Sequence, residues 1–177
     1  MCNNRNMTIQ LDIQFPLLLS LRKIDFMDRG KEGGMSVTPN GLETVEKTIQ
    51  KTHEWLKDIE EEMEWRDRRF ALQSLRAVMH ALRDRLPIRE AVDLGDQLPI
   101  FIRGLYYENW DTSKVPVKDR RVEDFVGHVP AYFPADSDPD PERITRAVFR
   151  VLKRRVSEGE INHVLSNFPR SLRHLWD

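Results

Sequence analysis

Cysteine is nearly absent from this chain: Cys2 is the single one. That excludes an internal disulfide and any multi-cysteine metal site, and it fits a reducing compartment. Long apolar runs are also missing. Residues 15–21 are apolar but short and interrupted by Pro16, well under the roughly 18 residues of a membrane span. They lead into Arg22-Lys23 with no small-residue cleavage site, so no export signal is read. Neither sign of charge dominates, since the formal net charge is -1, and a polyanion is not the default partner. GxGxxG and P-loop patterns are absent, as is any Ser, Cys or Gly-rich nucleophile motif, which leaves nucleotide chemistry and covalent catalysis without support. Apart from residues 8–13, no stretch alternates with period two, so the body is expected to be all-α.

What is present is a repeat. Residues 76–105 return at 146–175 with a constant offset of 70, through nine identities in thirty positions: Arg76/Arg146, Ala77/Ala147, Val78/Val148, Leu82/Leu152, Arg85/Arg155, Glu90/Glu160, Pro99/Pro169, Arg103/Arg173 and Leu105/Leu175. Average composition gives roughly two. Apolar character is kept between the identities, as in Met79/Phe149, Leu86/Val156, Leu94/Val164 and Ile102/Leu172. Solenoids need about three copies, so two long copies predict a closed, pseudo-twofold helical bundle. Residues 35–177 form the expected single domain, with unit one over 42–110, a linker over 111–120 and unit two over 121–177. Residues 1–34 read as a flexible tail, with a joint at Lys31-Glu32-Gly33-Gly34 and Met35 as a candidate native start.

The pattern predicts helices over 42–65, 68–86, 88–94 and 98–107 in the first unit. In the second it predicts helices over 122–129, 141–156, 157–165 and 169–175. The first should bury Val45, Ile49, Trp55, Leu56, Ile59 and Met63 as one stripe. Pro87 should end the second helix, Gly95 should stop the third, and Pro99 should sit in the first turn of the fourth. Asp140 is the expected cap before Pro141, and Ser157 with Glu160 forms a capping box.

Several segments in order carry a resemblance: Leu75-Arg76-Ala77-Val78-Met79-His80-Ala81-Leu82-Arg83-Asp84-Arg85-Leu86-Pro87, Gln97-Leu98-Pro99, Arg103-Gly104-Leu105-Tyr106-Tyr107-Glu108-Asn109-Trp110 and Val156-Ser157-Glu158-Gly159-Glu160. Over about residues 36–177 the chain resembles the bacterial domain of unknown function 2267 family. The resemblance implies a small all-helical cytoplasmic protein with no established activity, and it supplies no catalytic residues.

Three functional readings follow. The first is a non-enzymatic protein-interaction or adaptor module, binding a partner protein or a second copy of itself through Arg103, Tyr106, Tyr107 and Trp110, with His80 close by; aromatic residues with polar tips are enriched at binding surfaces. The second is a metal-binding protein or enzyme. Glu160 and His163 have the spacing of helical-bundle di-metal sites and Glu90 is the counterpart of Glu160, but those sites use two such motifs, and neither metal nor cofactor is the expectation. The third is a nucleic-acid-binding regulator using the arginines of residues 66–85 and 150–155. It ranks last, because the acids of residues 58–64 precede the first cluster and such runs usually make solvated, cross-paired faces.

Overall fold

The structure, a computed structural model, describes residues 39–118 and 120–177, with side chains from residue 42 onward. The expectations for residues 1–34 and for Met35 lie outside the described residues. Among the described residues seven α-helices follow in order: α1 (Pro39–Met63), α2 (Arg68–Arg83), α3 (Ile88–Asp96), α4 (Ile100–Tyr107), α5 (Val122–Val126), α6 (Pro141–Arg155) and α7 (Glu158–Asn167). Short 3-10 turns occupy Thr112–Lys114, Pro130–Tyr132 and Arg170–Trp176. Among the described residues there is no strand.

Local chemistry places the helix ends. The Asp67 carboxylate accepts from the backbone N–H of Arg69 and Phe70, at 2.8 and 3.2 Å, and so opens α2. Asp140 does the same for α6 at 3.1 and 3.0 Å, with Pro141 in the first turn; such caps are typically worth about 1 kcal/mol. α2 stops at Arg83, three residues earlier than the pattern predicted. Pro87 bars the residue before it from helical backbone and clashes with the carbonyl four positions back. Gly95 does not stop α3, which runs to Asp96, and Pro99 lies just ahead of α4. After α1 the chain turns through Glu64 at φ 58, a left-handed helix exit. The segment expected as the last helix is instead a 3-10 turn.

α1 packs on α2 and α6, α2 also meets α4, and α3 lies against α7. The shared core comes from one apolar face of each: Ile59 and Met63 from α1, Leu75, Val78 and Leu82 from α2, and Val148, Phe149 and Leu152 from α6, all buried. Phe149 is the hub of an aromatic cluster. Trp176 stacks on it at 4.0 Å, and Phe168 meets it edge-on at 6.0 Å. Burial of each such side chain contributes roughly 1.5–3 kcal/mol. One part of the expected stripe departs from the prediction. Val45 and Ile49 are exposed, because the N-terminal half of α1 runs beyond the elements that cover Leu56, Ile59 and Met63.

Candidate functional site

Arginine and histidine side chains close the helix ends of this fold. The last carbonyls of a helix have no partner within it and must be met by something else. At the end of α4, His80 of α2 donates from Nε2 to the Leu105 carbonyl at 2.6 Å. Arg83 Nη1 donates to the carbonyls of Tyr106 and, at 3.1 Å, Glu108. The Tyr132 hydroxyl lies 2.9 Å from His80 Nδ1, where the neutral ring with its proton on Nε2 accepts from it. Burial lowers the His80 pKa, and the nearby Arg83 charge acts the same way against the Leu105 carbonyl.

The aromatic segment sits on this end. Tyr106 is fully buried and donates to the Ala91 carbonyl of α3 at 3.0 Å. Tyr107 stacks on Trp110 with centroids 5.5 Å apart, and its hydroxyl reaches the Val92 carbonyl at 3.4 Å. Gly95 makes room for it, since a Cβ there would lie 2.1 Å from the Tyr107 hydroxyl. The Arg83 guanidinium lies 5.6 Å from the Trp110 ring centre. Arg103 donates to the Asp96 carbonyl at 2.9 Å and to that of Leu98 at 3.4 Å. Its counterpart Arg173 repeats this, donating to Ser166 and Phe168, again seven and five positions back. Arg103, Tyr107 and Trp110 keep partial contact with solvent, whereas His80 and Tyr106 are enclosed.

Glu90 and Glu160 lie on α3 and α7, which face each other. Burial raises the Glu160 carboxyl above its ordinary range, with Asp93 and Glu90 adding to the rise and His163 opposing it. Ser157 accepts from the Glu160 backbone N–H at 3.4 Å, which is half of a capping box; the other half is missing, and Glu160 Oε1 is buried without a hydrogen-bond partner. Among the described residues no three His, Cys, Asp or Glu side chains lie close enough to hold a metal ion.

The basic clusters are engaged as well. Arg150 and Arg154 both bind Glu62, the former at 2.7 Å, and Arg155 binds Asp58 at 2.7 Å and Glu54 at 3.4 Å. Burial alone would raise the Glu62 pKa, but its hydrogen bonds to Arg154 and Arg150 outweigh that and hold it low. Lys153 donates to the Trp176 carbonyl at 3.1 Å. A cleft of about 860 Å³ is lined by Arg85, Lys118, Arg120, Arg170 and Arg173. Two of these cations are already committed to backbone carbonyls, Arg173 as above and Arg85 to Ala81 and Asp124 at 2.9 and 3.2 Å.

The feature that sequence reasoning missed is a groove of about 580 Å³ between the N-terminal half of α1 and the start of α4. Val45 and Ile49 form one wall, Ile100 and Phe101 the other, and Leu56 and Leu72 the floor. The Thr48 and Thr52 hydroxyls donate to carbonyls of their own helix, at 2.9 and 2.8 Å, which leaves the wall apolar. The signal was available at Val45 and Ile49, but helical spacing does not say which apolar stripe is covered. No described helix is long and apolar enough to cross a membrane. None of the curated proteins matches the chain. The model of one family, described as "Uncharacterized conserved protein (DUF2267)", matches residues 52–175, and the chain belongs to that family.

Proposed function

We propose that the protein is a non-enzymatic interaction module that receives another polypeptide in the groove between α1 and α4. One observation carries this reading. Among the described residues, five of the seven exposed large apolar side chains, Leu42, Val45, Ile49, Ile100 and Phe101, lie on the first three turns of α1 and the first turn of α4, and all of these but Leu42 line the groove. A contiguous apolar patch of this kind marks an interaction surface. Arg103, Tyr106, Tyr107, Trp110 and His80 take a supporting role here: they fasten α4 to α2 and α3, so that its apolar ledge is rigid before a partner arrives. The matching Arg103 and Arg173 bonds support a pseudo-twofold bundle of two units as the scaffold.

A photo-crosslinking amino acid placed at Val45 or Phe101 in the full chain, and separately at the exposed Arg89 of α3, tests this in living cells. Covalent adducts with a polypeptide are expected from the two groove positions and not from Arg89. Absence of polypeptide adducts from the groove positions would overturn the proposal.

A further inference from the structure

The segment that closes each unit differs in charge between the two. At the offset of 70, Pro99 and Arg103 return as Pro169 and Arg173, but Asp96 is replaced by Ser166, Ile100 by Arg170 and Phe101 by Ser171. In the first unit Asp96 lies 3.5 Å from Arg103 and balances its charge. In the second, Arg173 makes the same pair of backbone bonds, and no acid stands at position 166. Residues 96–103 therefore carry no net charge, whereas residues 166–173 carry +2 from Arg170 and Arg173.

This second segment and the linker residues Lys118 and Arg120 line the same cleft, of about 860 Å³. Asp119 is outside the described residues; with its charge set against the cations, residues 116–120 and 166–173 together still carry +3. The basic cluster of α6 is neutralised by acids of α1. Here, among the described residues, no acid lines the cleft, and the exposed side chains of Lys118, Arg120 and Arg170 form no ion pair. The walls are tied in place. The Val117 N–H donates to the Asp84 carbonyl at 2.7 Å, fixing the linker to the end of α2. The Ser171 hydroxyl donates to the Arg120 carbonyl, fixing one wall to the other. Pro116, Val117 and Pro169 add apolar surface to the same lining.

We infer that this cleft binds a small phosphomonoester, its phosphate held by Lys118, Arg120 and Arg170 and its organic part resting on Pro116, Val117 and Pro169. The inference is independent of the apolar groove. A phosphate dianion offers three acceptor oxygens, and the planar fork of an arginine matches two of them. A carboxylate has two oxygens and a single charge to set against three cations. The volume of about 860 Å³ falls within the roughly 300–1,000 Å³ of small-molecule sites. A nucleic-acid strand fits less well, because it needs a run of cations along a surface. The next cation in the chain, Arg121, is paired with Glu123 at 3.5 Å.

Titrating the full, isotope-labelled chain with phenyl phosphate and following amide chemical shifts tests this, with inorganic phosphate and benzoate as comparison probes at matched ionic strength. Saturable shifts are expected at residues 116–120 and 166–173. Phenyl phosphate should bind roughly fivefold to tenfold more tightly than inorganic phosphate, because its ring covers the apolar wall. The double variant Arg120→Gln, Arg170→Gln should weaken phenyl phosphate binding by at least about tenfold. Its melting temperature should stay near that of the parent, since both side chains are exposed. Ser166→Asp, which restores the acid that position 96 supplies in the first unit, should weaken binding several-fold, and Arg89→Gln on α3 should leave it unchanged. A titration without saturable shifts overturns the inference, as does parent-like binding by the double variant or by Ser166→Asp. So does inorganic phosphate or benzoate that binds as tightly as phenyl phosphate, or a single-stranded oligonucleotide that binds more tightly through the same residues.

Discussion

Arg83 offers the sharpest test of the idea that basic side chains hold this bundle by closing helix ends. Its side chain is 3 % exposed, donates to the carbonyls of Tyr106 and Glu108, binds Asp84 at 2.8 Å and covers Trp110. Arg83→Met keeps most of the aliphatic stem and removes every donor. Hydrogen bonds from a charged group are worth about 1.5–3 kcal/mol each, and a buried carbonyl left alone costs about 1–3 kcal/mol. The Asp84 pair contributes little, because that carboxylate is partly solvated. These contributions overlap and do not add. The expected loss is therefore about 3 kcal/mol, or roughly 6–12 °C in melting temperature for a chain of this size. Arg83→Lys, which keeps the charge but not the fork, should fall between. Urea unfolding followed by far-UV circular dichroism reads the difference, with Arg89→Met, at a side chain 90 % exposed, as control. If Arg83→Met costs no more than the control, the capping account of the arginines is wrong.

Two further outcomes follow from the same geometry. His80 is held neutral in the fold, with a pKa below its ordinary 6.5; the unfolded chain therefore binds its proton first as pH falls. Stability should be full above pH 6.5 and decline below it, by at most about 1.4 kcal/mol per pH unit, until the folded-state pKa is passed; parallel pH profiles for the parent and His80→Gln would refute this. Gly104 has nothing within 4 Å of a Cβ added to it, so Gly104→Ala should stabilise by about 0.5–1 kcal/mol. Gly95→Ala should instead destabilise and drive Tyr107 off Trp110 and the Val92 carbonyl; a higher melting temperature for that variant would show that the close approach of Tyr107 is not needed.

Membership of an uncharacterised family and an all-helical body were legible in the chain, because both rest on local pattern: apolar spacing, Asp and Ser before helix starts, and motifs in order. Asp67, overlooked as a cap, carried the same local signal as Asp140. The candidate site was much less legible. His80 read as a neighbour of the aromatic segment and the arginines of residues 76–85 as charge, since a sequence shows that a side chain is basic but not that a carbonyl from α4 lies within reach. For the same reason the sequence does not show that Tyr107 stacks on Trp110 and reaches the Val92 carbonyl.

Sequence alone determined roughly where most of the helices form, which face of each is apolar, and that residues 76–105 recur at 146–175 with an offset of 70. Those properties depend on neighbours within one or two turns. Only the tertiary structure decided which apolar face is covered. Leu56 and Ile49 lie on one seam of one helix with the same chemistry, yet α2 and α6 enclose the first and nothing among the described residues encloses the second. Coverage is set by where distant elements end, and that is the quantity which turned part of a core stripe into the wall of an open apolar groove.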